Sequence, residues 1–170
     1  MKYRVALWIL SAVVFSQRML NAQVIAGTPE DKLFQQILSE AGPDQKLALL
    51  MDFEKRFPQS KVLPDVFLMA IDLYRQKGDR TKIIEYGEKT LKTDQNNVTA
   101  MMALSRNYAL ERQNLDRAVM LAQQALDLVG KMKTQSVPAQ YSDSQWKSYL
   151  QGTEEAARSI LEYAKSVRGR

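Results

Sequence analysis

The sequence predicts an all-helical protein, and three observations support this fold class. Apolar residues recur three and four positions apart between Thr28 and Val167, as they do on one face of an α-helix. The alternation of apolar and polar residues that marks a strand is almost absent. Prolines, glycines and capping residues interrupt the helical pattern, so seven helices joined by short turns are expected.

Start and stop signals define the first four helices. Thr28-Pro29 supplies an N-cap with proline at the first helical position, and Gly42-Pro43 closes that helix and opens the second. Pro58 stops the second helix, because the residue before a proline disfavours helical geometry. The third helix spans roughly 63–77, and Gly78-Asp79 is its turn into the fourth. The predicted core faces consist of Leu33, Phe34, Ile37 and Leu38, then Leu47, Leu50, Met51 and Phe53, then Phe67, Ala70, Ile71 and Tyr74, and finally Ile83, Ile84, Tyr86, Gly87 and Leu91.

Three further helices complete the chain. The fifth follows Asn97 as its N-cap, and the sixth runs from about Leu115 to Val129. After a polar loop, Ser142 and Gln145 form a capping box that opens a last helix of about seven turns. The predicted core faces are Met101, Leu104, Ser105 and Tyr108, then Ala118, Leu121, Ala122, Ala125 and Leu128, and then Trp146, Tyr149, Leu150, Thr153, Ala156, Ala157, Ile160, Leu161, Ala164 and Val167.

The methionines are predicted to fill the core rather than a binding surface. Met51, Met101 and Met120 lie on apolar helix faces, where the flexible thioether side chain packs well. Met102 is the exception, because a residue next to the core-facing Met101 should point away from the core.

Residues 1–22 have the composition of a secretory signal peptide. Lys2 and Arg4 precede the apolar run Val5–Phe15, which is shorter than the ~20 residues of a membrane-spanning helix but suits a signal sequence. Cleavage is predicted after Ala22, although Arg18 lies where charge is uncommon. An uncleaved anchor and a buried N-terminal helix are the alternatives. A cleaved signal peptide and an uncleaved anchor both imply export.

The amino-acid composition excludes most kinds of catalytic and metal-binding site. The chain has no Cys and no His, so disulfides, thiol catalysis and the commonest metal ligand and general base are absent. Residues 23–170 carry 21 Lys and Arg against 19 Asp and Glu, which gives no basic surface for nucleic acid. No glycine-rich phosphate loop, nucleophile elbow or metal-ligand cluster occurs. We therefore expect that the chain is not an enzyme, that it has no catalytic or metal-binding residue and that it binds no cofactor.

Residues 64–97 and 98–131 share one pattern. Each segment has a large residue early in its first helix, small residues near the helix crossing and a tyrosine that packs on the second helix, which lets two antiparallel helices approach closely. The matching requires a one-residue insertion in the second turn, Arg112-Gln113-Asn114. The corresponding sets are Phe67, Ala70, Ile71, Tyr74, Ile83, Gly87 and Thr90 in the first segment, and Met101, Leu104, Ser105, Tyr108, Ala118, Ala122 and Ala125 in the second.

This pattern resembles the tetratricopeptide repeat (TPR), a helix-turn-helix unit of about 34 residues. Tyr74, Gly78-Asp79 and Asp94-Gln95-Asn96-Asn97 lie where that family has its aromatic residue, its turn and its closing Asp-Pro-Asn-Asn. Gln95 replaces the family's proline, Ile83 replaces a small residue, and the second segment lacks the turn glycine.

The resemblance covers about 28–131 and includes a shorter earlier repeat at about 29–60. That segment ends in Phe57-Pro58-Gln59-Ser60, which is similar to repeat endings in exported envelope proteins of Gram-negative bacteria. The resemblance implies a right-handed superhelix (solenoid) of two to three TPR repeats, a loop at 132–141 and a long C-terminal capping helix at 142–167. A non-repetitive bundle is the alternative fold, and the last helix is alternatively the first helix of a truncated further repeat.

The resemblance also implies a concave groove lined by the first helix of each repeat. Related repeats that clamp a C-terminal carboxylate have Lys and Asn where this chain has Leu68 and Asp72, so that mode of binding is disfavoured. An apolar strip beside opposed charges would instead grip an extended or helical peptide, unless these residues are simply surface. The predicted groove residues are Asp65, Leu68, Asp72, Arg75, Gln76, Thr99, Met102, Arg106 and Leu110, beside Ala109.

Together these features predict a non-enzymatic, exported TPR scaffold that mediates protein–protein interaction in the bacterial cell envelope. The partner is a periplasmic or other envelope protein or peptide, not nucleic acid, and the membrane is contacted only through an uncleaved leader. The alternative is a structural, self-associating unit in which the C-terminal helix mediates oligomerisation.

Overall fold

A computed structural model describes residues 24–139 and 141–169, which form seven α-helices and contain no strand. The predicted all-α fold class is confirmed. The predicted signal peptide, residues 1–22, lies outside the described residues. Within those residues no helix is both long and apolar enough to span a membrane. The helices are α1 (Pro29–Ser39), α2 (Pro43–Arg56), α3 (Leu63–Lys77), α4 (Arg80–Thr93), α5 (Val98–Leu110), α6 (Leu115–Met132) and α7 (Asp143–Arg168).

Residues 24–95 form one compact unit in which each of the four helices packs on the next. Aromatic rings build much of its core: the centroids of Phe34 and Phe53 lie 5.9 Å apart, and those of Phe67 and Tyr86 lie 5.8 Å apart. The central helix α3 is buried around most of its circumference, because its residues 66–71 are an uninterrupted apolar run.

Local capping explains where the helices of this unit begin and turn. The Thr28 hydroxyl accepts a hydrogen bond from the Asp31 N–H at 3.2 Å, which confirms the predicted N-cap. Asp79 caps α4 in the same way by accepting from the Lys82 N–H at 3.0 Å. Gly78 ends α3 with φ 73°, a left-handed conformation that glycine adopts without steric cost.

Residues 96–169 form a second compact unit in which α5, α6 and α7 each pack against the other two. Asn97 caps α5 by accepting from the Ala100 N–H at 3.0 Å, and Ser142 with Gln145 forms the predicted capping box of α7. An Arg168–Asp116 ion pair of 3.2 Å joins the end of α7 to the start of α6, so these two helices run antiparallel. The apolar face of α7 is buried at Leu150, Thr153, Ala157, Ile160, Leu161, Ala164 and Val167.

Some sequence predictions about burial are wrong. Met51 and Met120, expected in the core, are 53% and 45% exposed, and Leu38 is 39% exposed. Each lies about 100° around its helix from a fully buried neighbour (Leu50, Leu121 or Ile37), at the edge of the apolar stripe where the adjacent helix does not reach. The end of α6 also differs, because the helix continues through Gly130 to Met132 instead of stopping near residue 129.

Candidate protein-binding surface

The turn between α3 and α4 is closed by two characteristic hydrogen bonds. The Gly78 N–H donates to the Arg75 carbonyl at 3.1 Å, and the Asp79 N–H donates to the Tyr74 carbonyl at 3.0 Å. These are the two bonds of a Schellman motif, which satisfies the last carbonyls of a helix and reverses the chain within a few residues.

The turn between α5 and α6 repeats this pattern further along the chain. The Arg112 N–H donates to the Ala109 carbonyl at 3.3 Å, and the Gln113 N–H donates to the Tyr108 carbonyl at 2.9 Å. Arg112 therefore takes the place of Gly78, with φ 52°. Asn114, at φ 45°, is the predicted one-residue insertion that delays the start of α6. The same local structure thus recurs from position 78 to position 112, although arginine instead of glycine holds the left-handed position.

The helix crossing after the second turn is lined by small residues. The Ser105 hydroxyl donates to the Ala118 carbonyl at 2.7 Å, which brings α5 close to α6. Ala118, Ala122 and Ala125 are fully buried along α6. The equivalent crossing of α3 and α4 is filled by larger groups, including the stacked rings of Tyr74 and Tyr86, whose centroids are 5.6 Å apart.

Five of the predicted groove residues lie on α3. Asp65 and Asp72 are half-buried, whereas Arg75 and Gln76 are exposed. Asp72 is engaged within its own helix, since it accepts hydrogen bonds from Arg75 and, at 3.2 Å, from Gln76. Leu68 was expected in an apolar strip on the surface but is buried, with 7% exposure. The accessible part of this α3 face is therefore polar.

The other four predicted residues lie on α5. Thr99, Met102 and Leu110 are half-buried, and Arg106 is exposed. The prediction that Met102 points away from the core is wrong: its side chain packs against a cluster of Ala122, Ile160 and Leu161. The reason is that α7 packs along both α5 and α6, so the side of α5 next to Met101 is covered. The α5 face therefore combines one exposed arginine with partly covered apolar side chains.

An ion-pair network between α2 and α4 was missed by sequence reasoning. Lys89 Nζ lies 2.9 Å from a Glu54 oxygen, 3.1 Å from a Glu85 oxygen and 4.5 Å from the centre of the Tyr86 ring. Burial acts to lower the pKa of Lys89, but its hydrogen bonds to Glu54 and Glu85 outweigh this and raise it. A hydrogen bond from Lys82 lowers the pKa of Glu85. The network joins α2 to α4 within the first unit, which is a structural role.

Two further features occur in the second unit. Tyr141, Trp146 and Tyr149 form an aromatic cluster at the start of α7, with ring centroids 5.1 to 5.9 Å apart. A shallow depression of about 550 Å³ lies between α6 and α7, where Glu154 accepts hydrogen bonds from Lys133 and, at 2.8 Å, from Arg158. The bond from Lys133, followed by that from Arg158, lowers the pKa of Glu154. Six of the eight residues that line the depression are polar or charged, and the described part of the chain has no acidic cluster able to hold a metal ion.

Comparison with known proteins assigns no family to this chain. It matches no protein-family model, and it matches no curated protein. The features that bear on its class are the helical fold, the recurring turn and the surfaces of α3 and α5.

Proposed function

We propose that the chain is a non-enzymatic TPR scaffold, exported to the periplasm, that binds another protein of the cell envelope. Its repeats would span about 29–60, 64–97 and 98–131 and stack as a right-handed superhelix. The observation that supports this most directly is the recurrence of the Schellman turn from position 78 to position 112, a spacing equal to the length of one TPR unit. Two successive helix pairs with the same turn and the same buried positions favour a repeat over an unrelated bundle.

The first helix of each pair is the proposed contact surface. On α3 the accessible residues are polar, with Asp72 already bonded to Arg75 and Gln76. On α5 an exposed arginine is accompanied by Met102 and Leu110, both half-buried. Polar groups that set orientation beside apolar groups that supply contact area are what a peptide-binding surface requires.

The proposed role of α7 is a terminal cap. Its apolar face is buried, and its outer face carries polar pairs such as Gln151–Glu155 at 3.1 Å and Glu162–Lys165 at 3.4 Å. A repeat array needs such a polar outer helix at its end, because an uncapped last repeat would expose its apolar face to water.

Affinity capture from the envelope of the source cells tests the proposal. The chain would be expressed with its own leader and a C-terminal tag, cross-linked briefly and analysed by mass spectrometry. We expect a protein partner that is recovered by the wild type and lost by the double variant Asp72→Arg/Arg106→Glu, because the variant reverses one charge on each proposed contact helix.

A matched variant controls for charge reversal in general. Asp52→Arg/Arg158→Glu makes the same two changes at a half-buried position of α2 and an exposed position of α7, and Asp52 pairs with Arg56 much as Asp72 pairs with Arg75. It should retain the partner. Equal recovery by both variants would show that the α3 and α5 faces do not make the contact. Circular dichroism of all three proteins must show the same helical content.

A further inference from the structure

Arg106 is the sole charged residue of α5, whose thirteen residues are otherwise neutral. Its side chain is exposed, and it makes no hydrogen bond or ion pair with any residue that the structure describes. This distinguishes it from Arg75, Arg56 and Arg158, each of which pairs with a carboxylate on its own helix. An arginine that has no carboxylate partner within the described residues has its donors available to another molecule.

Apolar side chains lie on both sides of this arginine along the helix. Met102 and Leu110 are four residues before and four residues after Arg106, which places all three on one face of α5. Both are half-buried, and Met102 is anchored against Ala122, Ile160 and Leu161. The face therefore presents a fixed apolar surface interrupted by one cationic group.

Resting on the proposed function, we infer that this face of α5 (Thr99, Met102, Arg106 and Leu110) binds a segment of the partner in which a carboxylate side chain lies between apolar side chains. The guanidinium binds a carboxylate with two parallel hydrogen bonds, a geometry that fixes orientation as well as affinity. A small free anion would use the charge alone, whereas a peptide also covers Met102 and Leu110. Residues 96–170 carry ten Lys and Arg against seven Asp and Glu, so the surrounding charge also favours an acidic partner.

The probes are two short fluorescein-labelled peptides of equal length that differ only in their charge. One repeats the unit Ser-Leu-Glu-Leu, and in the other each glutamate is replaced by glutamine. Fluorescence anisotropy with the full chain should show about tenfold tighter binding of the acidic peptide, the gain expected for a charged hydrogen-bonded pair at a partly covered site. Arg106→Gln should abolish the difference, and Arg106→Lys should restore part of it, since lysine keeps the charge but not the paired geometry.

Arg158→Gln is the matched control, because it removes an exposed arginine from α7 in the same unit. It should leave the preference for the acidic peptide unchanged. Equal binding of both peptides by the wild type, or an unchanged preference in Arg106→Gln, would overturn the inference. The proposed scaffold function would survive that result if Leu110→Ser still weakened capture of the envelope partner, and it would fail independently if no variant of α3 or α5 altered capture.

Discussion

At the scale of single residues, Arg112 bears the clearest strain in the described chain. It holds the left-handed position of the second Schellman turn with φ 52°, where its counterpart in the first turn is Gly78 with φ 73°. A non-glycine residue in this region costs of order 1 kcal/mol or more, and glycine relieves that cost. We predict that Arg112→Gly stabilises the protein by up to about 1 kcal/mol, the strain relieved less the added freedom of the unfolded chain. Urea unfolding measures the change.

The mirror substitution provides the control. A Cβ added at Gly78 meets no atom within 4 Å, so Gly78→Ala introduces backbone strain without a clash. It should destabilise by about 1 kcal/mol. A loss of stability in Arg112→Gly would show that the arginine side chain contributes more than its backbone position costs.

Residue-level predictions from sequence succeeded where the cause is local. The N-caps Thr28 and Ser142 act on backbone groups three residues away, so their spacing is visible in the sequence. The bond between Asp72 and Arg75 is equally local and could have been anticipated. The covering of Met102 could not be anticipated, because it depends on Ile160 and Leu161 of α7, which lie more than fifty residues further along the chain. The burial of Leu68 had a signal in the apolar run 66–71.

At the scale of helices, the packing of α6 depends on its small residues. Ala122 is fully buried and lies in one cluster with Ile160 and Leu161 of α7. Ala122→Leu would place three additional carbons in this contact, and we predict a destabilisation of about 1–3 kcal/mol from overpacking. Met120→Leu is the matched control on the same helix, since Met120 is 45% exposed and its replacement should change stability by no more than about 0.5 kcal/mol. If Ala122→Leu and Met120→Leu unfolded at the same urea concentration, close packing at Ala122 would be contradicted.

Helix positions were predictable from sequence to a greater degree than helix neighbours. Prolines and caps mark most helix starts, and α3, α4 and α5 begin where those signals lie. The end of α6 was harder to predict, because Gly130 weakens a helix without stopping it. Which face of α2 or α6 is covered depends on the neighbouring helices, and for that reason Met51 and Met120 were placed in the core incorrectly.

At the scale of the whole molecule, the role of α7 distinguishes a capped scaffold from a self-associating unit. Its buried apolar face and polar outer face favour the cap. We predict that the full chain has the light-scattering mass of a single chain at all concentrations tested. Deletion of residues 142–170 should lower the free energy of unfolding, because it uncovers the cluster around Ala122. A dimeric full chain that becomes monomeric on deletion would favour exchange of α7 between chains.

The most direct measurement of the central claim is site-specific photo-cross-linking inside the source cells. A photoreactive amino acid would replace Thr99, half-buried on the same face of α5, in one strain and Arg158 on α7 in another, with Arg106 unchanged in the first strain and residues 1–22 present in both chains. The proposed scaffold predicts a covalent adduct with a different envelope protein from position 99 and none from position 158. No adduct from position 99, or the same adduct from both positions, would contradict partner binding by the α5 face.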